Sequence, residues 1–201
     1  MIEQTLRPWL QRYGIEPLLR CCRPLAQLHP LWLTLAGLIT GVAVWPALVY
    51  QQVGVAISLL LVSGFCDCLD GSLARLQNST SGLGCVLDIM CDRIVEFAIL
   101  MGLYYVAPEA RGTEILWMLG SAYLCVTSFL VVGIFSQHAD KLGKSFYYSP
   151  GIMERFESFV LFALMMLWPN FFNVFAMIFT VLVLLTAVIR LTQFTLLSAN
   201  H

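Results

Sequence analysis

Four aspartates, Asp67, Asp70, Asp88 and Asp92, lie within the stretch SGFCDCLDGSLARLQNSTSGLGCVLDIMCDR that runs from Ser63 to Arg93. Asp67 and Asp70 are three residues apart, and Asp88 and Asp92 are four apart, so on helices each pair shares one face. If the two helices pack as antiparallel neighbours across the short Gln77–Gly82 turn, both pairs meet at one end. Converging carboxylates repel strongly in a low dielectric, and from sequence alone no cation stands among these four. A divalent metal resolves the repulsion. Oxygen-only ligands suit Mg²⁺ or Mn²⁺, whereas no His or Cys is placed to favour zinc. Two ions bridged by shared carboxylates explain why four acids are present rather than two. Magnesium completes its shell with water and substrate phosphates, so a phosphate-bearing ligand is expected. The neighbouring small residues Gly71, Ala74 and Gly84 leave room beside the acids, and Arg75 offers a fork of donors to a phosphate oxygen.

The elements that position these acids are built from apolar sequence. Of the 201 residues, 59% are hydrophobic and only 11% charged, and the mean hydropathy is +0.82. Such a chain cannot cover itself with polar surface, which excludes an ordinary soluble enzyme and places it in a membrane. Six apolar runs approach the roughly 20 residues that a helical crossing needs. They are Leu31–Tyr50, Val53–Leu73, Leu83–Val106, Ile115–Phe135, Gly151–Trp168 and Phe171–Ile189. None shows strand alternation, so the expected fold class is an all-α membrane protein with six transmembrane helices rather than a barrel. A carboxylate at the centre of a crossing costs roughly 2.5–3.5 kcal/mol, which makes four of them a functional feature.

Residues 1–25 have neither the apolar core nor the cleavage site of a signal peptide. They read as an amphipathic interfacial helix, with Trp9, Leu10, Tyr13, Leu18 and Leu19 toward lipid and Arg7, Arg12, Arg20 and Arg23 toward headgroups. Residues 26–201 then form a single membrane domain. With six crossings, one side of the membrane collects Arg75, Lys141, Lys144, Arg155, Arg190 and the N-terminal arginines, and the other has Arg111. Both termini are therefore expected to be cytoplasmic. The seven cysteines, Cys21, Cys22, Cys66, Cys68, Cys85, Cys91 and Cys125, show no zinc-ribbon spacing and read as small apolar packing residues. No basic patch with interleaved aromatics points to nucleic acid.

The pattern Asp67-x-x-Asp70-Gly71-x-x-Ala74-Arg75, eight residues, then Gly84-x-x-x-Asp88-x-x-x-Asp92 resembles the signature of the CDP-alcohol phosphatidyltransferase family. The resemblance implies a Mg²⁺- or Mn²⁺-dependent membrane enzyme that joins a CDP-linked substrate to an alcohol and releases CMP. In bacterial members, which lie in the inner membrane, the donor is usually CDP-diacylglycerol, and a homodimer is implied. Carried over by motif position, Asp67, Asp70, Asp88 and Asp92 hold the metals, and Asp92 is also the general base on the acceptor hydroxyl. Gly71, Ala74, Arg75, Ser81 and Gly84 fall at the CDP moiety. The family's Pro-Asn/Asp-x-x-Thr stretch is matched by Pro30-Leu31-Trp32-Leu33-Thr34, with Leu31 where a polar residue is expected.

The acceptor half is less plainly written. Asp88-Ile-Met-Cys-Asp92-Arg93-Ile-Val-Glu96 and Glu154-Arg155 are similar to the branch that uses inositol phosphate. That branch's basic residues late in the fourth run are replaced by Val131-Val132-Gly133-Ile134, and Ser158 stands where it has a second arginine. Arg93, Lys141, Lys144, Glu154 and Arg155 remain as acceptor-binding candidates, and Arg93 with Glu96 also reads as a structural ion pair. Lys144–Tyr148 and Gly151-x-x-Glu154 resemble a small bacterial inner-membrane subgroup. Transfer in the other sense, from a soluble CDP-alcohol to diacylglycerol, stays open. A divalent-cation transporter is the alternative from another class, but transporters often have two inverted halves, and here the acids fill one hairpin with no counterpart in the last two runs.

Overall fold

The structure is a computed structural model that describes residues 28–77, 82–139 and 151–198. The amphipathic N-terminal segment, Ser81, Lys141 and Lys144 lie outside the described residues. All regular structure among them is helical: α1 Pro30–Val49, α2 Val53–Leu76, α3 Gly82–Val106, α4 Pro108–Ala139, α5 Arg155–Leu167, a 3-10 turn at Pro169–Phe171, and α6 Phe172–Ser198.

Among the described residues, four segments are both long and apolar enough to cross a bilayer: Pro30–Val49, Val53–Leu76, Pro108–Phe135 and Pro169–Leu196. The 25 residues of α3 are long enough, but Asp88, Asp92, Arg93 and Glu96 interrupt their apolar character. With 13 residues, α5 is about 20 Å long, shorter than the roughly 30 Å hydrocarbon core. The surface is the reverse of a soluble protein's. Ile39, Leu116 and Met177 are 68%, 69% and 71% exposed, whereas Ser63 and Thr186 are wholly buried. Apolar outside and polar inside is the pattern lipid imposes, and the chain is an integral membrane protein. Several hydroxyls bond back to a carbonyl one turn earlier in their own helix, as Thr40 does to Ala36 at 2.8 Å and Ser72 to Cys68 at 2.8 Å, which satisfies these donors without water.

Local chemistry explains where the helices begin and end. Pro30 stands in the first turn of α1, where its fixed φ is pre-set and its missing N–H costs nothing. At the other end Gln51 takes the left-handed φ of 57°, a place glycine usually fills. There its N–H and that of Gln52 satisfy the carbonyls of Leu48 and Ala47, both at 2.9 Å. Helix α4 starts at Pro108 rather than the expected Ile115, because a first-turn proline and Glu109 make a favourable N-terminus. Helix α5 starts later than the Gly151 expected, because Glu154 is held extended at φ −113°, ψ −177°.

The packing differs from the hairpin expected of the second and third runs. Helix α1 packs extensively on both α2 and α3, which approach each other much less. Two glycines of α1 make this possible. A Cβ at Gly41 would stand 2.5 Å from Val95 of α3 and 2.9 Å from the Ser63 hydroxyl of α2, and one at Gly37 would press on Cys66 of α2 at 3.3 Å. The Ser63 hydroxyl donates to the Gly37 carbonyl at 2.8 Å, tying the α1–α2 crossing. Helix α4 pairs with α6, and α5 bridges α2 and α6 through a core of Phe162, Met165, Phe172 and Phe179. Arg111 is buried, donates to the Leu103 carbonyl of α3 at 3.0 Å and lies 4.4 Å over the Phe172 ring. It thus joins α3, α4 and α6 as a structural cation.

Candidate active site

The acidic residues come together although α1 separates most of α2 from α3. One carboxylate oxygen each of Asp67, Asp70 and Asp88 lies within 4.8 Å of the others. The i,i+3 spacing puts Asp67 and Asp70 on one face of α2, and Asp88 comes from the first turns of α3. Asp70 is the most enclosed of the three, with 6% of its surface exposed. Its Oδ2 accepts a 2.6 Å hydrogen bond from the Thr34 hydroxyl of α1. Thr34 and Gly37 line the same concavity as the four aspartates, so α1 forms its floor. Gln77 after the end of α2 donates to the Leu28 carbonyl at 2.9 Å, tying the end of α2 to the start of α1.

Asp92, one turn beyond Asp88, is turned to a different partner. Arg155, the first residue of α5, donates through the same nitrogen to Oδ1 of Asp67 and Oδ1 of Asp92. Its guanidinium also lies 5.2 Å over the Phe159 ring, one turn along α5. The four acids are therefore not without a compensating cation: the protein supplies one from a helix distant in sequence. This places Arg155, an acceptor candidate from its motif, among the carboxylates of α2 and α3. Three hard oxygen donors in close array, enclosed and only partly neutralised by one arginine, fit a divalent cation with oxygen preference.

The other candidates are distributed around this centre. Arg75 is exposed near the end of α2, and its Nη2 donates to the Ser72 hydroxyl at 3.2 Å. Gly71 has the Arg75 guanidinium as the nearest neighbour of a would-be Cβ, at 3.7 Å, so that side of α2 stays open to a ligand. Ala74 and Gly84 are half-buried on the facing ends of α2 and α3. Arg93 is paired with Glu96 on α3, the structural alternative for that motif. Glu154 lies directly before Arg155, and its carbonyl accepts from both the backbone and the hydroxyl of Ser158 at 3.1 Å.

Two residues escaped motif reasoning. Arg190 of α6 reaches into the bundle, donates to the Cys125 carbonyl at 3.2 Å and lies 5.2 Å over the Phe129 ring. Thr186, one turn earlier, holds the segment that leads into Arg155. A single arginine at the end of an apolar run and a lone threonine inside one carry no spacing signal, so only the fold reveals them.

The family model for CDP-alcohol phosphatidyltransferases matches residues 27–189, a region that contains the four aspartates and Arg155. The chain belongs to the CDP-alcohol phosphatidyltransferase family. It is 34% identical over 198 residues to the inner membrane protein YnjF of Escherichia coli, a match that covers 94% of this chain and 93% of that protein. It is also 32% identical over 142 residues to the phosphatidylinositol phosphate synthase of Mycolicibacterium smegmatis, covering 68% of this chain and 60% of the synthase. The crystal structure of the Mycobacterium tuberculosis phosphatidylinositol phosphate synthase PgsA1, solved with CDP-DAG bound, superposes with a TM-score of 0.63 at 22% identity. That superposition covers 96% of this chain and 93% of the other and establishes a shared fold.

Proposed function

We propose that this phosphatidyltransferase moves a phosphatidyl group from CDP-diacylglycerol to the hydroxyl of a polar alcohol and releases CMP. The observation that carries the reading is the approach of Asp67, Asp70 and Asp88 to within 4.8 Å, drawn from two helices onto one enclosed point. These carboxylates, joined by Asp92, hold one or two Mg²⁺ or Mn²⁺ ions. When bound, the metal supplies charge neutralisation for the pyrophosphate and for the departing CMP. Gly71, Ala74, Arg75, Ser81 and Gly84 border the CDP moiety, with Arg75 on a phosphate oxygen. The acceptor oxygen bonds to the phosphatidyl phosphorus as the bond to CMP breaks, and the CMP phosphate keeps that electron pair. Asp92 takes the hydroxyl proton during attack, since an alcohol is too weak an acid to lose it beforehand.

For the acceptor we favour a phosphorylated polyol such as inositol phosphate. The relative from Mycolicibacterium smegmatis is named a phosphatidylinositol phosphate synthase, and Arg155 brings a guanidinium to the reaction centre. Arg93, Lys141, Lys144 and Glu154 complete the candidate acceptor set. The likeness to an Escherichia coli inner membrane protein supports a bacterial inner membrane. There we place six crossings with both termini cytoplasmic, an interfacial helix over residues 1–25, one membrane domain over 26–201, and a homodimer. In this arrangement α3 crosses with its acids turned to α1, α2 and α5, and α5 begins below the membrane surface.

An acceptor screen tests the assignment. Purified protein with Mg²⁺ and CDP-diacylglycerol is offered inositol phosphate, glycerol phosphate, serine and unphosphorylated polyols, and the lipid product is weighed by mass spectrometry. A phosphatidylinositol phosphate mass supports the reading. Product with unphosphorylated polyols alone overturns the acceptor. Lipid made only from a CDP-alcohol and diacylglycerol overturns the direction.

A further inference from the structure

The chain just before Arg155 is anchored to α6. Residues 151–154 are not helical, and two contacts with Thr186 of α6 fix them. The Met153 N–H donates to the Thr186 hydroxyl at 2.9 Å, and that hydroxyl in turn donates to the Leu182 carbonyl at 2.8 Å. Thr186 is fully buried and Met153 is 7% exposed, so no water substitutes if the hydroxyl is lost. Gly151 lies flat against the threonine methyl: a Cβ there would stand 2.2 Å from Thr186 Cγ2 but 3.4 Å from its Cβ. One side chain thus uses its hydroxyl and its methyl to seat the three residues Gly151 to Met153. Arg155 follows two residues later with its guanidinium shared between Asp67 and Asp92.

We infer that Thr186 is a positioning residue that seats the start of α5 so that Arg155 stands between Asp67 and Asp92, where it competes with divalent metal for the shared Asp67. The inference rests on the metal reading of the acid cluster given under the proposed function. A guanidinium on Asp67 must be displaced, or must share the carboxylate, when a metal binds. Any change that unseats Arg155 therefore tightens metal binding, whereas general loosening of the bundle weakens it.

Mn²⁺ titration of the purified full chain, read by electron paramagnetic resonance, measures this without turnover. Arg155→Gln raises Mn²⁺ affinity, and Thr186→Val, which keeps the shape and removes the hydroxyl, raises it about tenfold. Thr186→Ser stays near the wild-type value. Gly151→Ala behaves like Thr186→Val, and adding Thr186→Ser, which deletes the clashing methyl, restores wild-type affinity. In the Arg155→Gln background Thr186→Val has no further effect. If Thr186→Val fails to fold, the Gly151→Ala protein with and without Thr186→Ser decides the matter. An equal shift in both backgrounds, or no restoration by Thr186→Ser, overturns the inference. If the wild-type chain binds no Mn²⁺, the metal reading fails, and the anchoring is judged from thermal midpoints. Non-additive shifts for Thr186→Val and Arg155→Gln then support it, and additive shifts contradict it.

Discussion

Asp67 and Asp92 share one guanidinium, yet their removal has different consequences. Asp67 belongs to the close carboxylate array to which we assign the metal, so Asp67→Ala is expected to lose both CDP-diacylglycerol binding and turnover. Asp92→Asn keeps a hydrogen-bonding side chain but cannot take a proton. It is expected to retain CDP-diacylglycerol binding in a filter or thermal-shift assay while turnover falls by about 10²–10⁴, the usual worth of a general base. Turnover within a few fold of wild type in Asp92→Asn removes the base assignment. The convergence of Asp67, Asp70 and Asp88 was legible in sequence because acids in hydrocarbon are costly and their helical spacing shows which share a face. The pairing of Arg155 with Asp67 and Asp92 was not legible, because it joins residues 88 and 63 positions apart. Nor was the Thr34 bond to Asp70, since the Pro30–Thr34 match marks the threonine but not the carboxylate it faces.

The helices themselves followed from the apolar runs, and several boundaries agree to within a residue or two because first-turn prolines and turn chemistry mark them. The neighbour relations were harder to read. A short connection between the second and third runs suggested direct packing, but α1 packs on both because Gly37 and Gly41 let its backbone come close. Gly41→Ala drives a Cβ into Val95 at 2.5 Å. It should cost about 1–3 kcal/mol of stability, seen as a lower thermal midpoint in detergent. Combining it with Val95→Ala should recover part of that loss. Gly54, which would meet nothing within 4 Å, serves as the control, and Gly54→Ala leaves the midpoint unchanged or slightly raised. Equal effects at Gly41 and Gly54 would mean that α1 does not lie where the two helices need it.

At the scale of the whole molecule, polar groups gather inside an apolar exterior, and the acidic concavity is assembled from α1, α2, α3 and α5. The membrane class was plain in composition, since 59% hydrophobic residues leave no other solvent for the chain. The exclusion of a transporter came from the asymmetry of the acids, and membership of the CDP-alcohol phosphatidyltransferase family agrees with it. The acceptor is less readable because the candidate cations Arg93, Lys141, Lys144 and Arg155 are scattered along the sequence without a fixed spacing. The central claim is that the convergent aspartates perform metal-dependent chemistry on a CDP-linked lipid, and CMP release tests it most directly. Purified protein in lipid nanodiscs is given CDP-diacylglycerol, an acceptor mixture and Mg²⁺ or Mn²⁺, and CMP is quantified by chromatography. The expected result is CMP that requires the metal, disappears with chelator and is lost in Asp67→Ala. No CMP with any alcohol, together with aspartate-dependent Mn²⁺ uptake into vesicles, would contradict it.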